Sequence, residues 1–426
     1  MTCEINLCSF KKVPEEHITE ILISTVLFPE MELTCSVQNY HWGKSAGESV
    51  VAALAASNDA TKVIDDTKRY AEFWMGTHPS GPSSVKATGQ TLADFLKDNP
   101  GSVGGEGASN LPYLFKVLSV DTALSIQVHP CKAKAEQLHK ARPDLYKDDN
   151  HKPEMALAVT DFEGLCGFRP LEEIKANLTK KCPEVSGLVN IGDLLAADET
   201  NYSPALKECF SQLLRSDKGQ IKLVLDQLKA KVEALEAKDQ DQKLFLRLMG
   251  QYPGDVGCLV MFFLNVVTLK PGEAMFLAAN VPHAYLKGDC VECMSRSDNV
   301  IRAGLTPKLI DVEALIDNLN YNCVKKAGDV MFEPTAENEH TLVYDPPVPD
   351  FTVAKIEIAA AGQAPVELVK RSSGSILVVT QGCGKYQATP SGGNGSLAKG
   401  TVLFIPAGQS VSVSNVQGLL AFQAFF

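Results

Sequence analysis

Two kinds of periodicity alternate along this chain, and their order limits the folds open to it. Over residues 39–170 short apolar runs are broken by Gly, Pro, Asn and Asp, the pattern of strands joined by turns. Across 171–252 the pattern changes: Ile221, Leu225, Leu228, Val232 and Leu235 recur at spacings of four, three, four and three, the stripe of an amphipathic helix. After Tyr252-Pro253-Gly254 strand-like runs return over 261–269 and 271–277. The order predicts a mainly β protein with a helical insert. The stripe reads as ordinary packing against the body, since a coiled coil needs more sustained heptads.

A second copy of one β pattern lies near the C-terminus. Lys399-Gly400-Thr401-Val402-Leu403-Phe404-Ile405-Pro406-Ala407-Gly408 repeats the Gly-led turn, buried strand and small-residue turn of 271–285, and continues into a strand through Val411 and Val413. A hairpin occurring twice predicts two related antiparallel barrels of the jelly-roll kind. Gln409 and Ser410 stand near the place of His283, so the second barrel is expected to lack a metal ligand. The expected organisation is a working barrel from 31–170 and 253–322, a helical insert at 171–252, and a structural barrel at 323–426. Residues 1–30 read as an extension outside this fold. Their apolar octet 21–28 is too short to span a bilayer and follows Glu15, Glu16 and Glu20 rather than a basic segment.

The net charge of −11 opposes sequence-independent binding to nucleic acid or to an anionic membrane, although a few converging cations can still hold a small anion. Twelve cysteines are scattered without disulfide-framework spacing and read as reduced core thiols. Cys290 and Cys293 form a lone Cys-x-x-Cys with no second pair at zinc-ribbon spacing.

The residues able to do chemistry begin with Leu124-Ser125-Ile126-Gln127-Val128-His129, whose strict alternation predicts a strand. Ser125, Gln127 and His129 then share one face. Alone, three polar residues in a row read more readily as the wet face of an antiparallel sheet, and it is their partners that change this. Downstream, Pro153 stiffens His151-Lys152-Pro153-Glu154 and presents Glu154 as a carboxylate ligand. His283 follows Val281-Pro282 at a strand entry, with Tyr285 on its face. Gln127, His129, Glu154 and His283 together offer one amide oxygen, two imidazoles and one carboxylate, a mixed N and O set suited to zinc or a similar divalent ion.

In order and spacing, Gln127-Val128-His129-Pro130, His151-Lys152-Pro153-Glu154-Met155 and Asn280-Val281-Pro282-His283-Ala284-Tyr285 resemble the metal-site motifs of type I phosphomannose isomerases. Tyr40-His41-Trp42-Gly43-Lys44, Ala71-Glu72-Phe73-Trp74-Met75-Gly76-Thr77-His78-Pro79, Leu114-Phe115-Lys116-Val117-Leu118 and Arg302-Ala303-Gly304-Leu305-Thr306-Pro307-Lys308 are similar to that family too. So is Tyr344-Asp345-Pro346-Pro347-Val348-Pro349-Asp350-Phe351. The resemblance spans nearly everything from Met31 onward, more loosely in the helical stretch. It implies a cupin-type barrel assembly with a helical domain and one zinc ion per chain. The implied reaction interconverts mannose 6-phosphate and fructose 6-phosphate in the cytosol, feeding glycolysis and GDP-mannose synthesis. A small-molecule sugar phosphate is the expected partner, and a monomer the expected state.

Moving a proton between C2 and C1 of an open-chain sugar needs a base for a weakly acidic C–H and an electrophile for the enediolate. Lys152, beside Glu154, reads either as the base, its pKa lowered by desolvation, or as a lysine that only holds substrate. Lys116, alone in an apolar strand, is a second buried lysine that contacts substrate or serves as a satisfied structural charge. The resemblance marks Arg302 as the active-site arginine, whose planar fork suits sugar oxygens or phosphate. Lys308 and Ser125 complete the expected phosphate pocket, and Tyr285 faces substrate. Glu292 and Asp298 read as groups orienting a base or hydroxyl, or as ion-pair partners. Two other classes use the same residues: an oxygenase with a two-His, one-carboxylate iron site, against which Gln127 counts by filling a position, and a non-catalytic sugar-binding barrel.

Overall fold

The computed structural model describes residues 32–104, 109–360 and 364–426, so the expected N-terminal extension lies outside the described residues. The fold is mainly β with a helical insert, as the two periodicities predict. Its first sheet has the strand order Met331–Phe332, Ala274–Leu277, Glu154–Ala158, His283–Ser295, Tyr113–Val120, Glu72–Met75, Ser36–Gln38. The strand His283–Ser295 bends this sheet. Its C-terminal half pairs with Tyr113–Val120 and Glu154–Ala158, while its N-terminal half pairs with Phe162–Phe168 and, at His283, with Ile126–Val128. Leu264–Leu269 and Ile301–Gly304 complete the second layer.

The period of two sorts side chains to the two sides of the first sheet. Phe115, Val117, Val291 and Cys293 pack in one core with Tyr344, Val353, Ile376 and Phe404 of the C-terminal sheet. Leu118 and Cys290 point the other way, into the space between the two layers, with Cys166, Met275 and Tyr285. Cys290 and Cys293 therefore face opposite cores, and no disulfide occurs among the described cysteines.

The C-terminal sheet has the order Thr335–Asn338, Thr341–Tyr344, Thr352–Ala360, Ser410–Phe425, Ser375–Thr389, Asn394–Ala398, with Val402–Ile405 paired to Ser375–Thr389. The expected repeat is present as a four-residue strand before a long one, Ala274–Leu277 before His283–Ser295 and Val402–Ile405 before Ser410–Phe425, but neither couple is a hairpin. The short strands pair instead with Glu154–Ala158 and Met331–Phe332 and with Ser375–Thr389, because each connection carries the chain past its neighbour to another strand. Among the described residues, strand pairing closes on itself in neither sheet, as in the two-sheet jelly-roll arrangement expected.

The insert carries the helices Tyr202–Arg215, Lys218–Glu233 and Gln240–Gln251, packed with Val128, Leu165, Ile301 and Ala303 on the outer face of the second layer. Asp217 caps Lys218–Glu233, whose buried stripe includes Ile221, Leu225, Leu228 and Val232. Leu235 lies past the helix end and is exposed, because the helical spacing no longer governs it. A buried ion pair, Arg169 to Asp241 at 2.8 Å, ties the insert to the sheet. Among the described residues, no helix is long and apolar enough to cross a membrane.

Candidate metal centre

His129, Glu154 and His283 are brought together by three different strand ends. Ile126–Val128 delivers His129, Glu154 opens Glu154–Ala158, and His283 opens the long bent strand. The expected strand 124–129 is shorter than its alternation suggests, because its partners pair only with Ile126–Val128. Leu124 consequently lines the same cavity as Ser125 and Gln127 instead of the opposite face.

One ligand atom from each of the three lies within 4.8 Å of the others, and all three residues are buried. No second such cluster occurs among the described residues. The hydrogen bonds fix what these atoms can do. His129 Nδ1 lies 2.8 Å from Asn299 O and His283 Nδ1 lies 2.9 Å from Val281 O. A carbonyl only accepts, so each Nδ1 carries the proton and each Nε2 presents a lone pair. Those nitrogens face the Glu154 carboxylate at 3.3 Å and 3.5 Å, and His129 Nε2 has no hydrogen-bond partner although it is buried. Acceptors facing acceptors in a buried pocket call for a cation between them, and the donor set is one that divalent ions of the zinc class prefer.

Electrostatics favour the ligating forms. Burial pushes the His129 imidazole down to about 4, more than Glu154 pulls it up, so the ring is neutral. Burial alone raises the Glu154 carboxyl, but the Lys152 ammonium reverses this and holds it well below the usual carboxylate range. Lys152 Nζ sits 3.1 Å from Glu154 Oε1. Gln127 stands opposite His283 in one direction and opposite Arg302 in the other, and its amide nitrogen donates to Ser125 Oγ at 3.1 Å.

Two adjoining cavities open from this centre. The inner one, about 90 Å³, is lined by Gln127, Glu154, His283, Tyr285 and Glu292, and the outer one, about 450 Å³, by Trp74, His78, Asp298, Arg302 and Lys308. Ser125, Gln127, Lys116 and Lys152 line both. A larger cavity of about 660 Å³ lies elsewhere, beside Lys44, Thr160, Lys243 and Arg247. None of the convergent groups reaches it, so size alone does not locate the chemistry.

Of the residues proposed from the sequence as metal ligands, catalytic groups or substrate contacts, all line one of these two cavities except His129. Lys116 is not a free amine: it pairs with Glu292 at 2.9 Å and Glu72 at 3.4 Å, and these carboxylates outweigh burial and raise its pKa. Burial, opposed by Lys116, raises the Glu292 carboxyl. Tyr285 is buried, and burial together with the Glu292 and Glu154 carboxylates pushes its hydroxyl well up. Asp298, half exposed, lies 3.5 Å from His78 Nε2. Among the described residues neither Arg302 nor Lys308 has a carboxylate within ion-pairing distance, which leaves two uncompensated cations at the outer cavity.

Sequence reasoning missed Glu72 and Tyr252. The carboxylate of Glu72 accepts from Trp74 Nε1 as well as facing Lys116, and Tyr252 brings the insert to the outer wall. Glu72 could have been noticed as a charge opening the otherwise apolar run Glu72–Met75, all of it buried. Tyr252 carries no comparable signal.

Against this geometry, comparison with known proteins is decisive. A model of the phosphomannose isomerase type I catalytic domain matches residues 31–171, and one of that family's helical insertion domain matches 171–264. A mannose-6-phosphate isomerase from Homo sapiens is 46% identical, with 92% of this chain and 97% of that protein aligned. The chain belongs to the type I phosphomannose isomerase family. Among plant phosphomannose isomerases, mannose-6-phosphate isomerase 1 of Arabidopsis thaliana is 40% identical over 92% of this chain and 93% of its own length. A crystal structure of a mannose 6-phosphate isomerase bound with zinc and yttrium superimposes with a TM-score of 0.81 at 31% identity, covering 93% of this chain and 99% of that one. The apo form from Salmonella typhimurium also gives 0.81, at 30% identity over the same shares.

Proposed function

We propose that the chain is a zinc-dependent aldose–ketose isomerase that interconverts D-mannose 6-phosphate and D-fructose 6-phosphate by proton transfer between C2 and C1. The observation that carries this reading is a buried convergence of lone pairs opening onto a cavity whose outer wall bears two unpaired cations. Gln127, His129, Glu154 and His283 would hold the ion. Zinc, when bound, supplies a Lewis acid that offsets negative charge on neighbouring sugar oxygens.

The chain's own groups do the rest. Arg302 and Lys308, with Ser125, bind the anionic end of the substrate, and lacking carboxylate partners they give up no ion pair to do so. Lys152, at the junction of the two cavities, is assigned the proton transfer. Glu292, whose carboxyl is raised by burial and held by Lys116, orients the transferred proton and the adjacent hydroxyl. Tyr285 and Asp298 contact the sugar from the inner and outer cavities, and Lys116 acts on substrate as part of its triad with Glu72 and Glu292. Apolar walls from Leu124 and Leu118 keep bulk water from the inner cavity.

The chemistry is assigned to the barrel of 31–170 with 253–322, the insert 171–252 contributing Tyr252 to its rim, and 323–426 to a structural barrel. That the one convergent cluster found among the described residues lies in the first of these supports that division. As part of the same proposal, the chain acts as a cytosolic monomer and supplies mannose to glycolysis and to GDP-mannose synthesis.

A coupled assay tests the function. Fructose 6-phosphate should form from mannose 6-phosphate, stop on chelation and return with added zinc. Oxygen consumption instead of isomerisation, or inactivity with zinc restored, would contradict the proposal.

A further inference from the structure

His129 takes its orientation from a backbone carbonyl, and a carboxylate outside both cavities holds that carbonyl in place. The acceptor is Asn299 O, in the loop between His283–Ser295 and Ile301–Gly304. This loop is fastened to the segment that leads into Glu154. Asp148 Oδ1 accepts from Ser297 Oγ at 2.7 Å, from Asn299 Nδ2 at 3.1 Å and from Asn150 N at 2.9 Å. Its other carboxylate oxygen accepts from Asp298 N at 2.8 Å, and its carbonyl from Asn299 Nδ2 at 2.7 Å. Asn150 completes the clamp, its carbonyl taking Asn299 Nδ2 at 3.0 Å and its amide donating to Arg296 O at 3.1 Å.

We propose that Asp148 is a positioning residue of the metal centre, acting through Asn299 on His129. The proposal rests on the metal reading above. Asp148 lines neither cavity, and among the described residues it pairs with no lysine, arginine or histidine, so its charge is spent entirely on hydrogen bonds. Such charge-assisted bonds are stronger than neutral ones, and here they fall on consecutive residues, Ser297, Asp298 and Asn299. Ser297 and Asn299 are 3% and 1% exposed, so water cannot readily replace a lost acceptor. Without the Asp148 side chain, Asp298 N–H loses its acceptor and Ser297 Oγ and Asn299 Nδ2 keep only the carbonyls of Asp148 and Asn150, so Asn299 O holds the ring plane and tautomer of His129 less firmly. The Nε2 lone pair then loses its aim towards Glu154 and His283. Outer partners of this kind set ligand orientation, and their loss weakens metal affinity. The same clamp joins two ligand-bearing segments directly, because Asp148 lies six residues before Glu154 and Asn299 contacts His129.

The test is zinc competition against a chromogenic chelator on the purified full chain and on Asp148→Ala and Asp148→Asn, with the melting temperature of each metal-free form. Asp148→Ala should weaken zinc binding by about tenfold to a hundredfold. Asp148→Asn, which keeps one acceptor oxygen but turns a donor on Asp298 N–H, should fall between it and the unsubstituted chain. A purely structural clamp would lower the metal-free melting temperature and leave zinc affinity within about twofold, and that outcome overturns the proposal. Should Asp148→Ala fail to fold, Ser297→Ala removes part of the clamp, and unchanged zinc affinity in it and in Asp148→Asn has the same force. Failure of the unsubstituted chain to bind zinc would overturn the metal reading and this inference together, whereas equal binding by all forms overturns the inference alone.

Discussion

At the scale of single residues, the three-strand register His283, Gln127, Arg302 separates two duties that lie side by side. His283→Ala and Gln127→Ala remove lone pairs from the buried centre, so bound zinc and turnover should fall together, read by metal analysis and assay on the same sample. Arg302→Ala removes a cation from the outer cavity, so zinc content should stay normal while turnover drops by on the order of a hundredfold to a thousandfold. Normal zinc in the first pair, or near-normal turnover in the last, would contradict these assignments. The residues legible in the sequence were those whose chemistry is written in their own side chains and spaced along strands. Asn299 was not among them: its contribution is a carbonyl, which every residue possesses, and only the approach of His129 gives it meaning. Glu72 was missed because its partner Lys116 lies on a neighbouring strand, a relation set by pairing between Glu72–Met75 and Tyr113–Val120.

At the scale of elements, the strand that carries Arg302 is set by contact with the short helix Gly257–Val260, just past the helical insert. Gly304 and Gly257 approach so closely that a Cβ on Gly304 would meet Gly257 Cα at 2.5 Å, and one on Gly257 would meet Leu305 N at 2.5 Å. Asp255 secures the junction, accepting from Gly257 N and Leu305 N at 2.7 Å each and from Thr306 N at 3.1 Å. Gly304→Ala should therefore destabilise the protein by about 1–3 kcal/mol through overpacking, and lower turnover by displacing Arg302 and Lys308. A denaturant titration with a midpoint equal to that of the unsubstituted chain would show that the junction yields without cost. Element type was legible where periodicity ran long, as in Lys218–Glu233. Boundaries were less so: the strand expected over 124–129 shrinks to Ile126–Val128, because its ends depend on where partners stop, which alternation alone does not encode.

At the scale of the whole molecule, three cores share two layers of strand: one between the layers, one against the C-terminal sheet and one against the insert. The helical interruption and the recurrence of a short strand before a long one were readable in advance, but the pairing of those strands was not, since each short strand finds its partner elsewhere in the chain. The cores do not include the lone pairs of the metal centre, so removing zinc should leave secondary structure intact while lowering the melting temperature. Free zinc at a hundred times its dissociation constant would add about 2.7 kcal/mol of stability by mass action. Collapse of the circular-dichroism spectrum on chelation would contradict this. The most direct measurement is anomalous scattering at the zinc edge from crystals grown with zinc. One peak is expected, about 2.0–2.2 Å from His129 Nε2, His283 Nε2 and a Glu154 oxygen, with the Gln127 amide oxygen beside it. Zinc-replete crystals with no peak between these side chains would contradict the account.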